Sequence, residues 1–140
     1  MSPSSPSSEP EPDRRIPVGF DATLGAEFLE LSGERVVMRL EVGPHLEQPF
    51  GILHGGVYCT LVESSASMGA GAWYATRGHV VGMANQTDFL HPVRGGTVTA
   101  TATPVHQGRT TQLWEVQIRD QDERLVARGQ VRIANLERRD

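Results

Sequence analysis

The sequence predicts an α+β fold in which an antiparallel sheet wraps around one long central helix, and three observations predict it. Residues 56–74 form a run of small and helix-favouring residues in which Glu63 is the one charged side chain. Two strand-like runs precede this helix and about four follow it. The runs after the helix are joined by short turns, which implies antiparallel neighbours. A sheet wrapped on the helix buries the apolar surfaces of both the sheet and the helix.

The strand assignments come from alternation of apolar and polar residues. Residues 35–42 and 96–107 alternate in this way, which is typical of strands with one covered face. Before the first strand, residues 16–25 are expected to form a short helical turn or loop that packs Phe20 and Leu24. The strand-like runs cover residues 26–31, 35–42, 79–90, 96–107, 110–119 and 124–136.

Length and composition bound the organisation of the chain. Its 140 residues predict a single domain, expected at residues 16–138. Residues 1–15 are rich in Pro, Ser and Glu and are expected to be a disordered tail. The net charge of -4 argues against a nucleic-acid partner. No stretch approaches the ~20 apolar residues of a membrane span, and the lone Cys59 fits a reducing cytoplasm.

The central helix should be buried on all sides, because apolar or small residues occupy every face of it. A carboxylate on such a helix is costly to bury unless it is paired or functional. Glu63 is therefore either a structural acid satisfied by a partner such as Ser67, four residues further on, or a general base or nucleophile.

Two glycines, Gly55 and Gly56, stand where the helix should begin. The first N–H groups of a helix have no internal partner and lie at its positive end. Glycine lets a ligand oxygen approach that backbone, so the Gly55 N–H is a candidate to polarise a carbonyl group. The alternative is a tight entry turn that simply requires two glycines.

Helix geometry separates the two candidate groups. Eight residues from Gly55 to Glu63 correspond to roughly 12 Å along a helix. A catalytic carboxylate must come within about 3 Å of the atom or water on which it acts. If both groups serve one substrate, two helices must lie antiparallel across a two-fold axis, and each site takes Glu63 from the other subunit. A homodimer is the expected minimum assembly.

The loop before the helix supplies two more polar side chains, Gln48 and His54. Each has the chemistry to donate to a carbonyl or to position a leaving sulfur, and each also fits a loop or capping role. His54 and Glu63 lack the i, i+4 spacing of a helical zinc pair, and no Cys or His cluster joins them. No metal site is expected.

A phosphate site is suggested by the turn at residues 106–111. Its guanidinium group, hydroxyl groups and glycine suit phosphate, although an ordinary hairpin turn has the same composition. Arg94, before Gly95 and Gly96, is a weaker candidate for the same role.

The motifs together resemble those of hotdog-fold acyl-CoA thioesterases. They comprise Gln48, the run HGGVYCTLVESSAS at residues 54–67, VVG at 80–82 and PVHQGRTTQLW at 104–114. The sequence is most similar to the group that contains the 1,4-dihydroxy-2-naphthoyl-CoA thioesterase and the enterobactin-pathway proofreading thioesterase. The resemblance spans roughly residues 20–136.

The resemblance implies an enzyme that hydrolyses acyl-CoA, with Glu63 as nucleophile or as base on water. It implies that Gly55, assisted by Gln48, donates to the thioester carbonyl, with His54 close by. Ser67, joined by Ser64, would orient Glu63 or the water. The residues implied in acyl or CoA binding are Gly82, Phe89, Leu90, His91, Pro92, His106, Gln107, Gly108, Arg109, Thr110 and Thr111.

Several further expectations follow from the resemblance. Coenzyme A is part of the substrate, so no separate cofactor is expected, and homodimers are expected to pair into tetramers. Phe89 stands where the menaquinone and enterobactin members carry a polar residue, so the expected acyl group is aromatic or of medium chain length rather than polyhydroxylated. The competing functions are a hotdog enoyl-thioester hydratase or dehydratase and a non-catalytic acyl-CoA-binding protein.

Overall fold

Six antiparallel strands form one sheet in a computed structural model that describes residues 16–139. The predicted tail at residues 1–15 lies outside the described residues. The strand order is β1-β2-β4-β5-β6-β3. The elements are α1 (Gly19–Leu24), β1 (Glu27–Leu31), β2 (Val36–Glu41), α2 (Gly55–Tyr74), β3 (Gly78–Phe89), β4 (Thr97–Gln107), β5 (Thr111–Asp120) and β6 (Leu125–Glu137), with short 3-10 turns at Pro44–Leu46 and Ala75–Arg77. This is the predicted hotdog architecture, and the predicted order of elements is confirmed.

The alternation of side chains along the strands places one face of the sheet against α2. In β4, Val98, Ala100 and Ala102 have no exposed surface, whereas the intervening threonines lie on the other face. The neighbouring strands β5 and β6 add buried apolar side chains to the same face of the sheet, among them Trp114, Val116, Ile118, Val131 and Ile133. The core therefore lies between α2 and the inner face of the sheet.

The small residues of α2 allow the helix to approach this face closely. An added Cβ at Gly69 would lie 2.5 Å from the Trp114 ring and 3.0 Å from a Val36 methyl group. Glycine is therefore required at this point of contact, because a larger side chain would force the helix off the sheet. The contact fixes the height of α2 above the strands.

The expectation that α2 is buried on all sides is wrong for the described chain. One stripe is buried, from Val57 to Ala70, but Cys59, Glu63 and Ser67 on the other side are only partly buried. The physical reason is that a single sheet can cover only one side of a helix. The apolar and small character of the second side is thus left for some other surface to cover.

The predicted packing of Phe20 is also wrong. Leu24 of α1 is buried, but Phe20 is 64% exposed. A helix of six residues, fewer than two turns, can present only one side to its neighbour. Leu24 lies on that side and Phe20 does not.

Strand β3 forms one edge of the sheet and is paired on one side only, with β6. It is 12 residues long and carries the exposed apolar side chains Val81 and Met83. Its pairing with β6 is interrupted between Gly82 and Ala84, where the register shifts by a bulge. Among residues 16–139, no helix is long and apolar enough to cross a membrane.

Candidate functional site

The loop that leads into α2 is held by backbone hydrogen bonds at both ends. The N–H of Gln48 donates to the carbonyl of Ile52 at 2.8 Å, and that of Leu53 donates to the carbonyl of Val93 at 2.8 Å. The Gln48 side-chain oxygen accepts from the N–H of Phe50. Because its oxygen is engaged within the loop, the Gln48 amide NH₂ is the end of the side chain left to donate to a ligand.

His54 caps the start of α2 with its side chain. Its Nδ1 accepts from the N–H of Gly56 at 2.8 Å, so the ring hydrogen lies on Nε2. The Gly56 N–H is therefore occupied, whereas the Gly55 N–H donates to no atom among residues 16–139. Of the two glycine N–H groups at the helix start, the one predicted as a donor, that of Gly55, is therefore the one left free for a ligand within the described residues.

Gly55 lies directly against Phe89, the last residue of β3. A Cβ at Gly55 would come within 2.8 Å of the Phe89 ring, which explains the need for glycine here. The Phe89 ring also contacts Tyr58, one turn along the helix, at 5.7 Å between ring centroids. Strand β3 and the start of α2 thus meet through an aromatic contact.

A cavity of about 440 Å³ opens at this meeting point. It brings together much of the predicted site, because its walls contain Gln48, Gly55 and the predicted segment from Phe89 to Pro92. The lining is mainly apolar and includes three residues not singled out from the sequence, Ile52, Leu53 and Tyr58. The complete lining is Gln48, Ile52, Leu53, Gly55, Tyr58, Phe89, Leu90, His91 and Pro92.

Glu63 lies two turns further along α2, half-buried and hydrogen-bonded through both oxygens. Ser67 donates to Oε1 at 3.4 Å, as the spacing predicted. Asn85 of β3 donates to Oε2 at 3.3 Å and also to the carbonyl of Cys59 at 3.0 Å. Thr87 donates in turn to the Asn85 side-chain oxygen at 2.7 Å, which orients the Asn85 amide. The carboxylate is therefore held in one orientation.

Gly82 provides the room for this carboxylate. An added Cβ at Gly82 would overlap Glu63 Oε1, so any larger residue here would push the end of the Glu63 side chain aside. The resemblance implied acyl or pantetheine contact for Gly82, and its contact within the described chain is with Glu63.

Asn85 is the residue that sequence reasoning missed at Glu63. Gly82 and Asn85 are three positions apart, so strict strand alternation would place them on opposite faces. The bulge between Gly82 and Ala84 changes this parity and turns Asn85 towards Glu63. The signal for the bulge in the sequence is Gly82 itself, because a glycine within a strand often marks a bulge.

Ser64 has a different partner from the one implied. Its hydroxyl donates to Asp21 of α1 at 2.6 Å, rather than to Glu63. The reason is direction: successive residues of a helix point about 100° apart, so Ser64 faces α1 while Glu63 faces β3. Ser64 therefore attaches α1 to the central helix.

The predicted phosphate-binding turn lies at the far end of α2 from Gly55. Gln107 donates to the carbonyl of Gly33 at 2.7 Å, and Asn135 donates to the carbonyl of Gly108 at 2.9 Å. Arg109 and Thr110 line a cavity of about 260 Å³ beside Tyr74, where α2 ends. Since α2 has 20 residues and spans roughly 30 Å, one chain does not bring this turn to the 440 Å³ cavity.

Arg94 lies closer to that cavity but outside it. It lines a neighbouring depression of about 580 Å³ that shares Pro92 with the first cavity. Asp120 and Asp122 lie in the same depression, so the Arg94 guanidinium is placed among negative charges. Such surroundings compete with a phosphate for the guanidinium.

The chain is similar to known proteins in both sequence and structure. The model of the thioesterase superfamily matches residues 50–127. Rv1847 of Mycobacterium tuberculosis, an esterase by name, is 48% identical over 138 residues, which is 94% of this chain and 99% of its own. The 1,4-dihydroxy-2-naphthoyl-CoA hydrolase of Listeria monocytogenes is 38% identical over 117 residues, covering 84% of this chain and 95% of its own.

Solved structures with a similar fold include a thioesterase. AziG of S. sahachiroi aligns with a TM-score of 0.84 and 47% identity, over 89% of this chain and all 100% of its own. The thioesterase HI1161 of Haemophilus influenzae aligns with a TM-score of 0.80 and 32% identity, over 84% of this chain and 82% of its own.

Proposed function

The chain belongs to the thioesterase superfamily and is a thioester hydrolase, and from this premise we propose that it hydrolyses an aromatic or medium-chain acyl-CoA to the free acid and CoA. The observation that carries the proposal is the mainly apolar cavity whose lining includes Gln48 and Gly55, with a Gly55 N–H that donates to no atom among residues 16–139. An apolar wall suits the acyl group, and amide donors in the same lining suit its carbonyl oxygen.

At the carbonyl, we assign the Gly55 N–H as the donor that stabilises the developing oxyanion. It lies at the positive end of α2 and has no competing acceptor within the described residues. The Gln48 amide NH₂ is the second donor, and the His54 Nε2–H is available near the departing sulfur. These donors are held in place before the substrate arrives, which is the condition for effective electrostatic catalysis.

Glu63 of the partner subunit is the proposed attacking group. It either adds to the carbonyl carbon and expels the CoA thiolate, forming an anhydride that water then cleaves to the free acid and the Glu63 carboxylate, or removes a proton from a water that attacks the carbonyl and expels the CoA thiolate. Glu63 of the same chain lies roughly 12 Å from Gly55 along the helix, too far to reach that carbonyl. In two copies related by a two-fold axis, the α2 helices run antiparallel, and Glu63 of each subunit then lies at the Gly55 end of the other subunit's helix.

Two exposed surfaces support this assembly. The free edge of β3 offers unpaired backbone groups along a 12-residue strand, an arrangement that natural proteins usually cover. The second side of α2, with Cys59, Glu63 and Ser67, is only partly buried in one chain. A second copy placed against β3 and this side of α2 covers both surfaces and completes two identical sites.

The same symmetry gives the 106–111 turn a role. In one chain the turn lies at the end of α2 opposite to Gly55. An antiparallel copy carries its own turn to the Gly55 end, where the Arg109 guanidinium of the partner subunit would meet the phosphates of CoA. Pairing of such dimers into tetramers is proposed from the family resemblance.

Replacing Gly82 with alanine tests the position of Glu63. The added methyl group should displace the carboxylate and lower kcat by about 100-fold, since a shift near 1 Å is enough for that loss. Thermal unfolding should change little, because only the far end of one side chain must move. Gly95→Ala is the matched control, since its methyl group would meet nothing within 4 Å. A Gly82→Ala enzyme with the wild-type rate would contradict the placement.

The reaction itself is tested with a panel of aryl-CoA and fatty acyl-CoA esters and a colorimetric measurement of free thiol. We expect thiol release, with the highest kcat/KM for aromatic or medium-chain esters. Hydration of an enoyl-CoA without thiol release would instead identify a hydratase. Tight binding of the esters with no turnover would identify a non-catalytic binding protein.

A further inference from the structure

Gln112 is a buried polar side chain that the proposed mechanism does not use. It is 1% exposed and lies on the same face of β5 as Trp114 and Val116, both of which are fully buried. Burying an amide is costly unless its polar atoms find hydrogen-bond partners. The partners of this amide therefore indicate what it holds in place.

The Gln112 amide connects the central helix to Asn135 of β6. Its Nε2 donates to the Asn135 side-chain oxygen at 2.8 Å and to the carbonyl of Ala70 in α2 at 3.3 Å. Its Oε1 accepts from the indole N–H of Trp114 at 2.8 Å. A carbonyl can only accept and an indole N–H can only donate, so one orientation of the Gln112 amide satisfies all three bonds. Gln112 thus fixes the Asn135 side chain relative to the core.

Asn135 in turn holds the backbone of the turn at residues 106–111. Its Nδ2 donates to the carbonyl of Gly108 at 2.9 Å and to that of Arg109 at 3.2 Å. Its backbone N–H donates to the carbonyl of Thr110 at 2.9 Å. Three successive carbonyl groups of the turn are therefore directed at one residue.

This arrangement sets the direction of the N–H groups in the turn. In a planar trans peptide, the N–H points opposite to the C=O of the preceding residue. Because the carbonyls of Gly108 and Arg109 are directed at Asn135, the N–H groups of Arg109 and Thr110 point away from it. Neither N–H donates to an atom among residues 16–139. Two successive free N–H groups beside a guanidinium are suitable donors for a phosphate.

We propose that Asn135 is a positioning residue that pre-organises the 106–111 turn for the phosphate groups of CoA. This inference rests on the proposed function, in which the turn meets the phosphates of CoA bound at the partner subunit's site. Asn135 acts on the turn of its own chain and need not touch the substrate. Without Asn135 the turn would have to be ordered when CoA binds, and that ordering lowers affinity.

The test compares the most active acyl-CoA of the panel with the same acyl group on pantetheine, which has the same thioester but no phosphate group. The quantities measured are KM and kcat for each ester. We expect Asn135→Ala to raise KM for the acyl-CoA by about tenfold, the equivalent of roughly one hydrogen bond. KM for the acyl-pantetheine and kcat for both esters should stay unchanged, because the cavity at Gly55 is intact.

The matched control is Gln130→Ala, which removes an amide from an exposed position of the same strand and should change neither KM. A role of Asn135 in stability alone would affect both esters equally. An equal rise in KM for both esters, or no rise for either, would therefore overturn the proposal. Asn135→Leu keeps the side-chain volume without the donor and gives the same test if Asn135→Ala does not fold. If neither variant folds, Asn135 is structural and the proposal is wrong.

The two proposals fail in different ways. If the wild-type protein releases thiol from none of the esters, the proposed function is wrong. The Asn135 proposal is then decided by calorimetric titration with CoA itself. A Kd about tenfold weaker in Asn135→Ala and unchanged in Gln130→Ala supports it. Equal affinities of the wild type and Asn135→Ala, or no binding of CoA to the wild type, reject it.

Discussion

Replacing Glu63 with alanine is expected to lower kcat for acyl-CoA hydrolysis by about 10³-fold or more, because the variant loses the attacking carboxylate. The fold should survive, since Glu63 is only partly buried and its bonds to Ser67 and Asn85 lie at the edge of the core. Thiol release measures the activity, and circular dichroism with thermal unfolding measures the fold.

The control for this variant is Glu115→Ala. Glu115 lies on β5, and its side chain is 40% exposed beside Arg128, so its loss removes a charge without touching the cavity. It should retain the wild-type rate. If Glu63→Ala retains turnover as well, the carboxylate is structural and its bonds to Ser67 and Asn85 serve only to stabilise the packing of α2 against β3.

Mixing two inactive variants is expected to restore activity, because each site draws Gly55 and Glu63 from different chains. The first variant is Glu63→Ala. The second is Gly55→Pro, which removes the N–H at the first helical position, where proline is well tolerated. His54 before it has an extended backbone with ψ of 134°, as a residue before proline requires. Gly55→Pro alone should lose about 10²–10³-fold in kcat.

Random assembly of equal amounts of the two chains gives about a quarter of the sites an intact Gly55 and an intact Glu63. Co-expressed or co-refolded protein should therefore recover about a quarter of the wild-type rate. Gly55→Ala is the matched control, since it adds a similar contact with Phe89 but keeps the N–H. It separates the effect of lost space from the effect of the lost donor.

A mixture that stays inactive, although both chains fold and assemble, would show that Gly55 and Glu63 of different subunits do not share a site. A protein that light scattering shows to be monomeric while it cleaves acyl-CoA would do the same. Either result would mean that Glu63 acts on the substrate bound to its own chain or takes no part in the reaction.

The contacts of the candidate site that can be predicted from the sequence depend on neighbours along the chain. The run from Gln48 to Gly56 is a continuous loop and helix start, so its meeting at one cavity wall follows from local geometry. Ser67 donates to Glu63 because residues four apart share one side of a helix. The contribution of the Phe89 to Pro92 segment to the same cavity rested on the family resemblance.

The missed contacts all join residues that are far apart in the sequence. Asn85 reaches Glu63 across 22 residues, and Ser64 reaches Asp21 across 43. The one-sided burial of α2 was missed because composition shows that a surface is apolar without showing which element covers it.

The sequence by itself determined the architecture, an antiparallel sheet on one central helix, together with the helix-start donors and the acid two turns beyond them. These follow from periodicity and spacing within single elements, which are encoded locally. Only the tertiary structure decided which amide is free, how β3 passes Glu63 and what lines the cavity. Those features depend on strand register, and one bulged residue in β3 changes which side chains face the helix without altering the local pattern that predicts the strand.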